Sequence, residues 1–371
     1  MQLQARCAAT ALADAGLTSA DVDALYSALD GGLTSRLALA EYLGVRPHVV
    51  DTTMVGGASF EFHLAHARNA IFAGKSDVAL ITYGATNRSA EVRLGTGAPP
   101  QYGNDNAAEN MEAPWGVTLV ANYALVAARH FHDYGTTPEQ LAEISVVTRS
   151  HALRNPQAVE AMRVLGFRDI GEISVEDVVS SPMIADPLHK LDCCMVSDGA
   201  GAIVLVSARV ARSIARRPVW VLGTGEAVGY VANGGDICRT AAAVSGPIAF
   251  GEAGVSPGEV DVAMIYDSFT ITVLTSLEGL GFCEPGEGGS YVEGGRLRFD
   301  SPGGPALNTD GGGLFSNHPG MRGIFLIIEC VRQLRGESTA QVPGASLAVA
   351  HGNGGMLGSR HAGGTVVLGV S

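Results

Sequence analysis

Four short stretches of this sequence, three of them glycine-rich, each carry groups that could move a proton or hold an oxyanion. In GGGLFSNHPGMRG, His318 follows three glycines and precedes the apolar stretch 324–331, which places it near a helix start. An imidazole there could donate from Nε2 to an oxyanion or accept a proton. His351 follows SLAVA and precedes Gly352-Asn353-Gly354-Gly355. The C-terminal end of a buried strand on a glycine turn is the ligand-binding rim of an open α/β sheet. Tyr266 and Asp267 follow the apolar VDVAMI and fall on the same rim, the tyrosine as a proton donor and the aspartate to orient a neighbour. GGASFEF, at 56–62, sets Gly56 and Gly57 before a helix whose free N–H groups suit an oxyanion or a thioester oxygen. Each has a plainer alternative: a strand–helix turn, a structural histidine, a packed aromatic ending a strand.

Other chemistries find less support. Cys193 and Cys194 are adjacent, so they point in opposite directions in an extended segment, and no nearby Cys or His completes a metal set. They, Cys283 and Cys330 read as buried structural thiols, and no metal site is expected. The sequence has no GxxxxGK[ST], and GTGEAVGY at 223–230 is only a loose match to a dinucleotide fingerprint. A net charge of −13 argues against a nucleic-acid surface, while leaving room for a local arginine cluster to bind an anion. Six cysteines without a CxxC suit a reducing cytoplasm. No apolar run is long enough for a membrane span, and the N-terminus lacks the zones of a secretory signal.

The elements that must position these groups alternate. Helices are expected over 3–15, 35–43 and 60–73, and strands over 22–28, 47–53 and 78–83, the signature of an α/β fold with a largely parallel sheet. Residues 85–118 depart from that rhythm and open a loop and helical excursion running to about 185. The 49 glycines in 371 residues are nearly twice the usual share of ~7%, and only 16% of residues are charged, which predicts closely packed layers joined by tight turns. AGLTSADVDALY at 15–26 recurs as AGVSPGEVDVAMIY at 253–266, with Ala15, Gly16, Val22 and Asp23 repeated at an offset of 238. DVALITYG at 77–84 likewise parallels ASLAVAHG at 345–352. A duplicated βα domain accounts for this order. The halves are expected at 1–240, including the excursion, and 241–371.

Together these loops resemble the thiolase superfamily, and its sterol-carrier-protein-type branch in particular. The resemblance rests on YDSFTITVLTSLEGLGFCEPGEGGSYVEGG at 266–295 and on LNTDGGGLFSNHPG with IIECVRQLRGE after it, and it runs the length of the chain. It implies two related halves, each a mixed five-stranded sheet, in five αβαβα layers. It also implies a first strand ahead of the first helix, for which this sequence, opening directly in that helix, has no counterpart. In the family a nucleophilic cysteine follows the glycine pair of the first loop. Here that position is Ala58, followed by Ser59, which reads as a helix cap. The Asn or His of the second loop is replaced by Tyr266, the His of the third is kept as His318, and the acid/base Cys of the fourth is replaced by His351.

A site without a nucleophile can still stabilise an enolate. The resemblance therefore implies retro-aldol cleavage of a β-hydroxyacyl-CoA of the steroid side-chain type, without an acyl-enzyme. His318 and the Ala58 N–H would serve as oxyanion donors, and His351 or Tyr266 would move the proton. Two alternatives stay open: an acetyl-CoA acetyltransferase-like enzyme with another nucleophile, and a non-catalytic acyl-CoA-binding or scaffold protein. Coenzyme A would be part of the substrate, with no tightly bound cofactor. Its phosphates would meet arginines among Arg88, Arg93, Arg149, Arg154, Arg163 and Arg168. The expected partners are a second copy of the chain and a small OB-fold protein carrying a zinc ribbon.

Overall fold

The structure is a computed structural model that describes residues 1–28, 35–91, 118–230 and 235–370. The chain opens with α1 (Gln2–Asp14), β1 (Ala24–Tyr26), α2 (Ser35–Leu43), β2 (Val49–Asp51), α3 (Ser59–Phe72) and β3 (Val78–Ala85). The excursion follows as α4 (Leu119–Tyr134), α5 (Pro138–Ala152), α6 (Pro156–Val164), α7 (Val175–Val179) and the hairpin β4 (Met183–Ala185) and β5 (Leu188–His189). Then come β6 (Gly199–Val206), α8 (Ala208–Ala211) and β7 (Trp220–Tyr230). The last part is α9 (Ala242–Ala253), β8 (Val262–Ile265), α10 (Thr270–Leu280), α11 (Gly288–Val292), β9 (Ala306–Leu307), α12 (Gly312–Phe315), α13 (Gly323–Arg335), β10 (Leu347–Met356) and β11 (Arg360–Gly369).

The repeat seen in the sequence extends to the hydrogen bonds. α1 stops at Gly16 with φ 67°, and α9 stops at Gly254 with φ 68°, left-handed values that glycine adopts without strain. Thr18 and Asp21 cap the next turn reciprocally, and Ser256 and Glu259 do the same 238 residues on. Asp23 then accepts from the backbone N–H groups of Asp77 at 2.8 Å and Val78 at 3.0 Å. Asp261 accepts from those of Ser346 at 2.8 Å and Leu347 at 3.0 Å. Each aspartate thus ties its own strand to the start of the parallel neighbour.

The sheets share one plan. The first runs β2-β1-β3-β6, with β1 parallel to β2 and β3 and with β6 antiparallel to β3. The second runs β9-β8-β10-β11-β7, parallel through β10 and antiparallel beyond it. The first sheet has four strands among the described residues and the second has five. β7 pairs with β11, so Trp220–Tyr230 lies in the second sheet. GTGEAVGY is the body of β7. A Cβ at Gly223 or Gly225 would run into the carbonyls of Ala249 and Ser245, so these glycines let α9 lie against the strand.

Period-two alternation sets the layers. Val262 and Met264 of β8 face inward, joining Phe60 and Leu64 of α3, Ile324 and Ile327 of α13 and Ile81 of β3 in a core between the sheets. Ala263 and Ile265 face the other way, into a core with α9, α10 and the excursion helices α4 and α5. α1 covers the outer face of the first sheet through Ala8 and Leu12. The result is the expected five-layer αβαβα frame, with α3 and α13 as the central layer. Among the described residues, no helix is long and apolar enough to cross a membrane.

Candidate active site

The first loop is one 3-10 turn, Gly56–Ala58, leading into α3. A Cβ on Gly56 would lie 2.8 Å from the Gly355 nitrogen, and one on Gly57 would enter the Tyr266 ring and the Asn353 carbonyl. These two glycines therefore let three loops meet. Ala58 is fully buried and is itself the N-cap of α3. Ser59 is not the cap. Its hydroxyl donates to the Gly56 carbonyl at 2.6 Å and accepts from the Val55 N–H at 3.0 Å, closing the turn from inside. Among the described residues that hydroxyl makes no hydrogen bond to a base, so it is not activated as a nucleophile.

Tyr266 leaves β8 with its N–H donating to the His351 carbonyl at 2.9 Å, and its hydroxyl donates to the Gly320 carbonyl at 3.4 Å. Burial pushes the phenol well above its ordinary pKa, so it is a proton donor at neutral pH. Its ring meets the His318 ring edge to face, with centroids 5.5 Å apart. His318 is placed by Ser197, whose hydroxyl accepts from the histidine N–H at 2.9 Å. The side chain is only 7% exposed, and Nε2 is buried with no hydrogen-bond partner among the described residues. Burial, reinforced by the Arg322 charge, lowers its pKa to about 4, so the ring is neutral.

His351 lies in the middle of β10 and not at a strand end. The glycines after it stay in the ladder with β11, because Gly352 and Gly354 are the positions where the strand packs under the first loop. A side chain on Gly354 would collide with the Val55 carbonyl. The His351 Nδ1 pairs with the Thr365 hydroxyl at 2.9 Å, which in turn meets Ser245 at 2.8 Å. Burial pulls its pKa down to about 3. Tyr266 thus touches His318 through its ring and the His351 carbonyl through its N–H, and Gly57, next to Ala58, leaves room for its ring.

Asp267 belongs to the frame of the site. Its carboxylate accepts from the N–H groups of Gly313 at 2.7 Å and Leu314 at 3.2 Å and lies 3.6 Å from Arg322. Arg322 in turn grips both oxygens of Asp310 at 2.7 and 2.6 Å, and Asp310 accepts from Gly312 at 2.9 Å. This buried cluster shapes the glycine run that delivers His318. Burial raises Asp267 to about 6 despite the arginine.

The candidate phosphate ligands fare differently. Arg149 is buried, donating to the carbonyls of Gly171 at 2.9 Å and Asp169 at 2.7 Å, with its guanidinium over Phe315. It is a structural cation with no free face for a phosphate. Arg88 is exposed on the loop after β3, next to Asn87, which donates to the Pro319 carbonyl at 3.1 Å. Arg93 lies outside the described residues. Among the described residues no cluster of three metal-binding side chains occurs.

Three contributors carry no motif. Tyr123 of α4 accepts from the Asn353 amide at 2.9 Å and brings the excursion to the site. Cys194 lies within electrostatic reach of Tyr266 and Asp267, and burial holds its thiol well above the usual range, hence protonated. Glu61 sits three residues past Ala58. In the sequence it looks like an ordinary acidic residue in a helix's first turn.

Residues 223–369 match the family described as Thiolase C-terminal domain-like. An acetyl-CoA acetyltransferase of Methanothermobacter thermautotrophicus is 35% identical over 360 residues, covering 94% of this chain and 90% of that protein. A steroid side-chain-cleaving aldolase of Thermomonospora curvata is 32% identical, covering 92% of this chain and 87% of its own. The solved structure of the Ltp2–ChsH2(DUF35) aldolase superposes with a TM-score of 0.86 at 29% identity, over 100% of this chain and 92% of that one.

Proposed function

This chain belongs to the thiolase superfamily, in its sterol-carrier-protein-type branch, and on that premise we propose that it cleaves a carbon–carbon bond in a β-hydroxyacyl-CoA by retro-aldol chemistry. The observation that carries this reading is the buried Nε2 of His318, without a hydrogen-bond partner among the described residues, beside Tyr266 in a site whose nucleophile position is Ala58. A base removes the β-hydroxyl proton, and the Cα–Cβ bond breaks. A carbonyl product leaves, and the electron pair moves into a thioester enolate. A proton added at Cα then yields the shorter acyl-CoA. Neutral His318 and the Ala58 N–H stabilise the enolate oxygen, and His351 and Tyr266 carry the proton. No oxidant is required.

Similarity to a steroid side-chain-cleaving aldolase supports a steroid-type acyl chain. The similar aldolase structure pairs Ltp2 with a DUF35 protein, which supports a small OB-fold zinc-ribbon partner here. Coenzyme A enters as part of the substrate, with exposed Arg88, Arg154, Arg163 and Arg168 the described candidates for its phosphates. We further propose a homodimer, because β2 is an edge strand with Val50 half exposed, and a cytoplasmic setting, because all six cysteines are free.

The acyltransferase alternative needs a nucleophile, and neither occupied Ser59 nor protonated Cys194 is activated as one. Intact-protein mass spectrometry after mixing with acyl-CoA separates the readings: retro-aldol chemistry predicts no covalent adduct. Deuterium exchange at Cα of a product acyl-CoA, measured with the partner present, is the test of the enolate. Its absence across acyl-CoA esters would sink the aldolase reading.

A further inference from the structure

Glu61 is 1% exposed, and neither carboxyl oxygen has a hydrogen-bond partner among the described residues. Three glycines from three elements enclose its side chain. A Cβ on Gly323, the first residue of α13, would lie 2.8 Å from Oε1. One on Gly352, directly after His351, would meet the carboxyl carbon at 2.5 Å and the Ala58 Cα at 2.9 Å. One on Gly364, the β11 partner of Gly352, would strike the Glu61 Cβ at 2.6 Å. The fold has cleared a chamber for this acid under the first loop.

A bare carboxylate in such a chamber would cost several kcal/mol. Burial accordingly lifts the Glu61 pKa to about 8, leaving a neutral acid with one O–H to donate. The titratable group facing it from α13 is the Cys330 thiol, itself held protonated by burial. The Arg322 guanidinium, one residue before Gly323, is turned to Asp310. The space left open by Gly323 is bounded by both Glu61 oxygens and the carbonyl oxygen of Gly57.

We infer that Glu61 is a positioning residue whose protonated carboxyl donates to the Gly57 carbonyl, fixing and polarising the Gly57–Ala58 peptide whose N–H faces the thioester oxygen. The inference rests on the role proposed above for the Ala58 N–H. A carbonyl that accepts a hydrogen bond strengthens the donor at the other end of its peptide.

Two readouts test it, one independent of turnover. In protein labelled with 13C at glutamate carboxyls and 15N at alanine, the Glu61 carboxyl should show the neutral form at pH 7. The Ala58 amide signal should be retained in Glu61→Gln, whose amide also donates, and shifted in Glu61→Ala. An ionised carboxyl at pH 7, or an Ala58 signal unmoved in folded Glu61→Ala, overturns the inference. Should Glu61→Ala fail to fold, the wild-type carboxyl and Glu61→Gln still decide it. In Cα exchange, Glu61→Ala should lower kcat about 10-fold with KM little changed, a fraction of the loss from deleting an oxyanion donor outright. Glu61→Gln should stay near wild type. If wild type exchanges and Glu61→Ala matches it, Glu61 has no such role. If wild type does not exchange, the functional reading fails and the labelled signals alone judge Glu61.

Discussion

Tyr266 and His318 meet edge to face, 84° between their planes, although they are 52 positions apart in the chain with α10, α11 and α12 between them. The contact joins the strand-end loop of β8 to the glycine loop before α13. Tyr266 also donates through its backbone to the His351 carbonyl, so a single residue holds both histidine loops in register. Its own placement depends on Gly57, which leaves room for the ring.

Removing either partner should silence the reaction without unfolding the protein. His318→Ala and Tyr266→Phe should each lower kcat/KM for carbon–carbon cleavage by about 10²–10⁴-fold. Circular dichroism should remain that of wild type. Activity within a few-fold of wild type in either variant would remove that residue from the chemistry.

The rate should persist into acid. His318 is held near 4 and His351 near 3, so both stay neutral well below the ordinary histidine range. The acid limb of the kcat/KM profile should fall near pH 4, where the first of them protonates. A limb at about 6.5, the unperturbed value, would show that these side chains are not shielded as described.

How much of this was legible beforehand depends on what each residue touches. His318, His351 and Tyr266 stood out because glycine runs and strand ends mark them locally. The duplicated frame was legible because Gly16 with Asp23 and Gly254 with Asp261 do identical local work. Glu61 was not legible, since its chamber is carved by Gly323, Gly352 and Gly364, which are distant in the chain. Arg149 looked like a phosphate ligand because burial against Phe315 cannot be seen in a sequence. The pairing of β7 with β11 is not legible in the sequence because β11 is the last strand of the chain, 130 residues further on.

His351 should depend on Thr365. Thr365→Val removes the hydroxyl that holds Nδ1 and strands Ser245 as well. Turnover should fall about 10-fold with KM nearly unchanged, at a stability cost of ~1–3 kcal/mol for the lost buried bonds. Thr365→Ser should restore the rate. A Ser variant as slow as Val would assign the effect to packing and not to the hydrogen bond.

Stability should fall as pH drops below the ordinary histidine range. His63, His151, His318 and His361 are held near 4 and His351 near 3 by burial, so between about 6.5 and 4 the unfolded chain binds protons that the native one refuses. Each such group removes up to ~1.4 kcal/mol per pH unit in that window. His151 lies away from the site, bonded to the Leu307 carbonyl and the Phe299 N–H. His151→Gln should lower stability at pH 7 yet flatten its slope between pH 6 and 4.5, as read by denaturant unfolding. An unchanged slope would mean that His151 titrates alike in both states.

The proposed chemistry runs through an enolate without an acyl-enzyme. To test it, the protein is co-purified with the proposed OB-fold partner and incubated with a β-hydroxyacyl-CoA in deuterated water. The products and the intact protein mass are then read together. The expected result is a carbonyl product, a shortened acyl-CoA carrying deuterium at Cα, and a protein of unchanged mass. An acyl adduct on the protein, or a shortened acyl-CoA without deuterium at Cα, would contradict it.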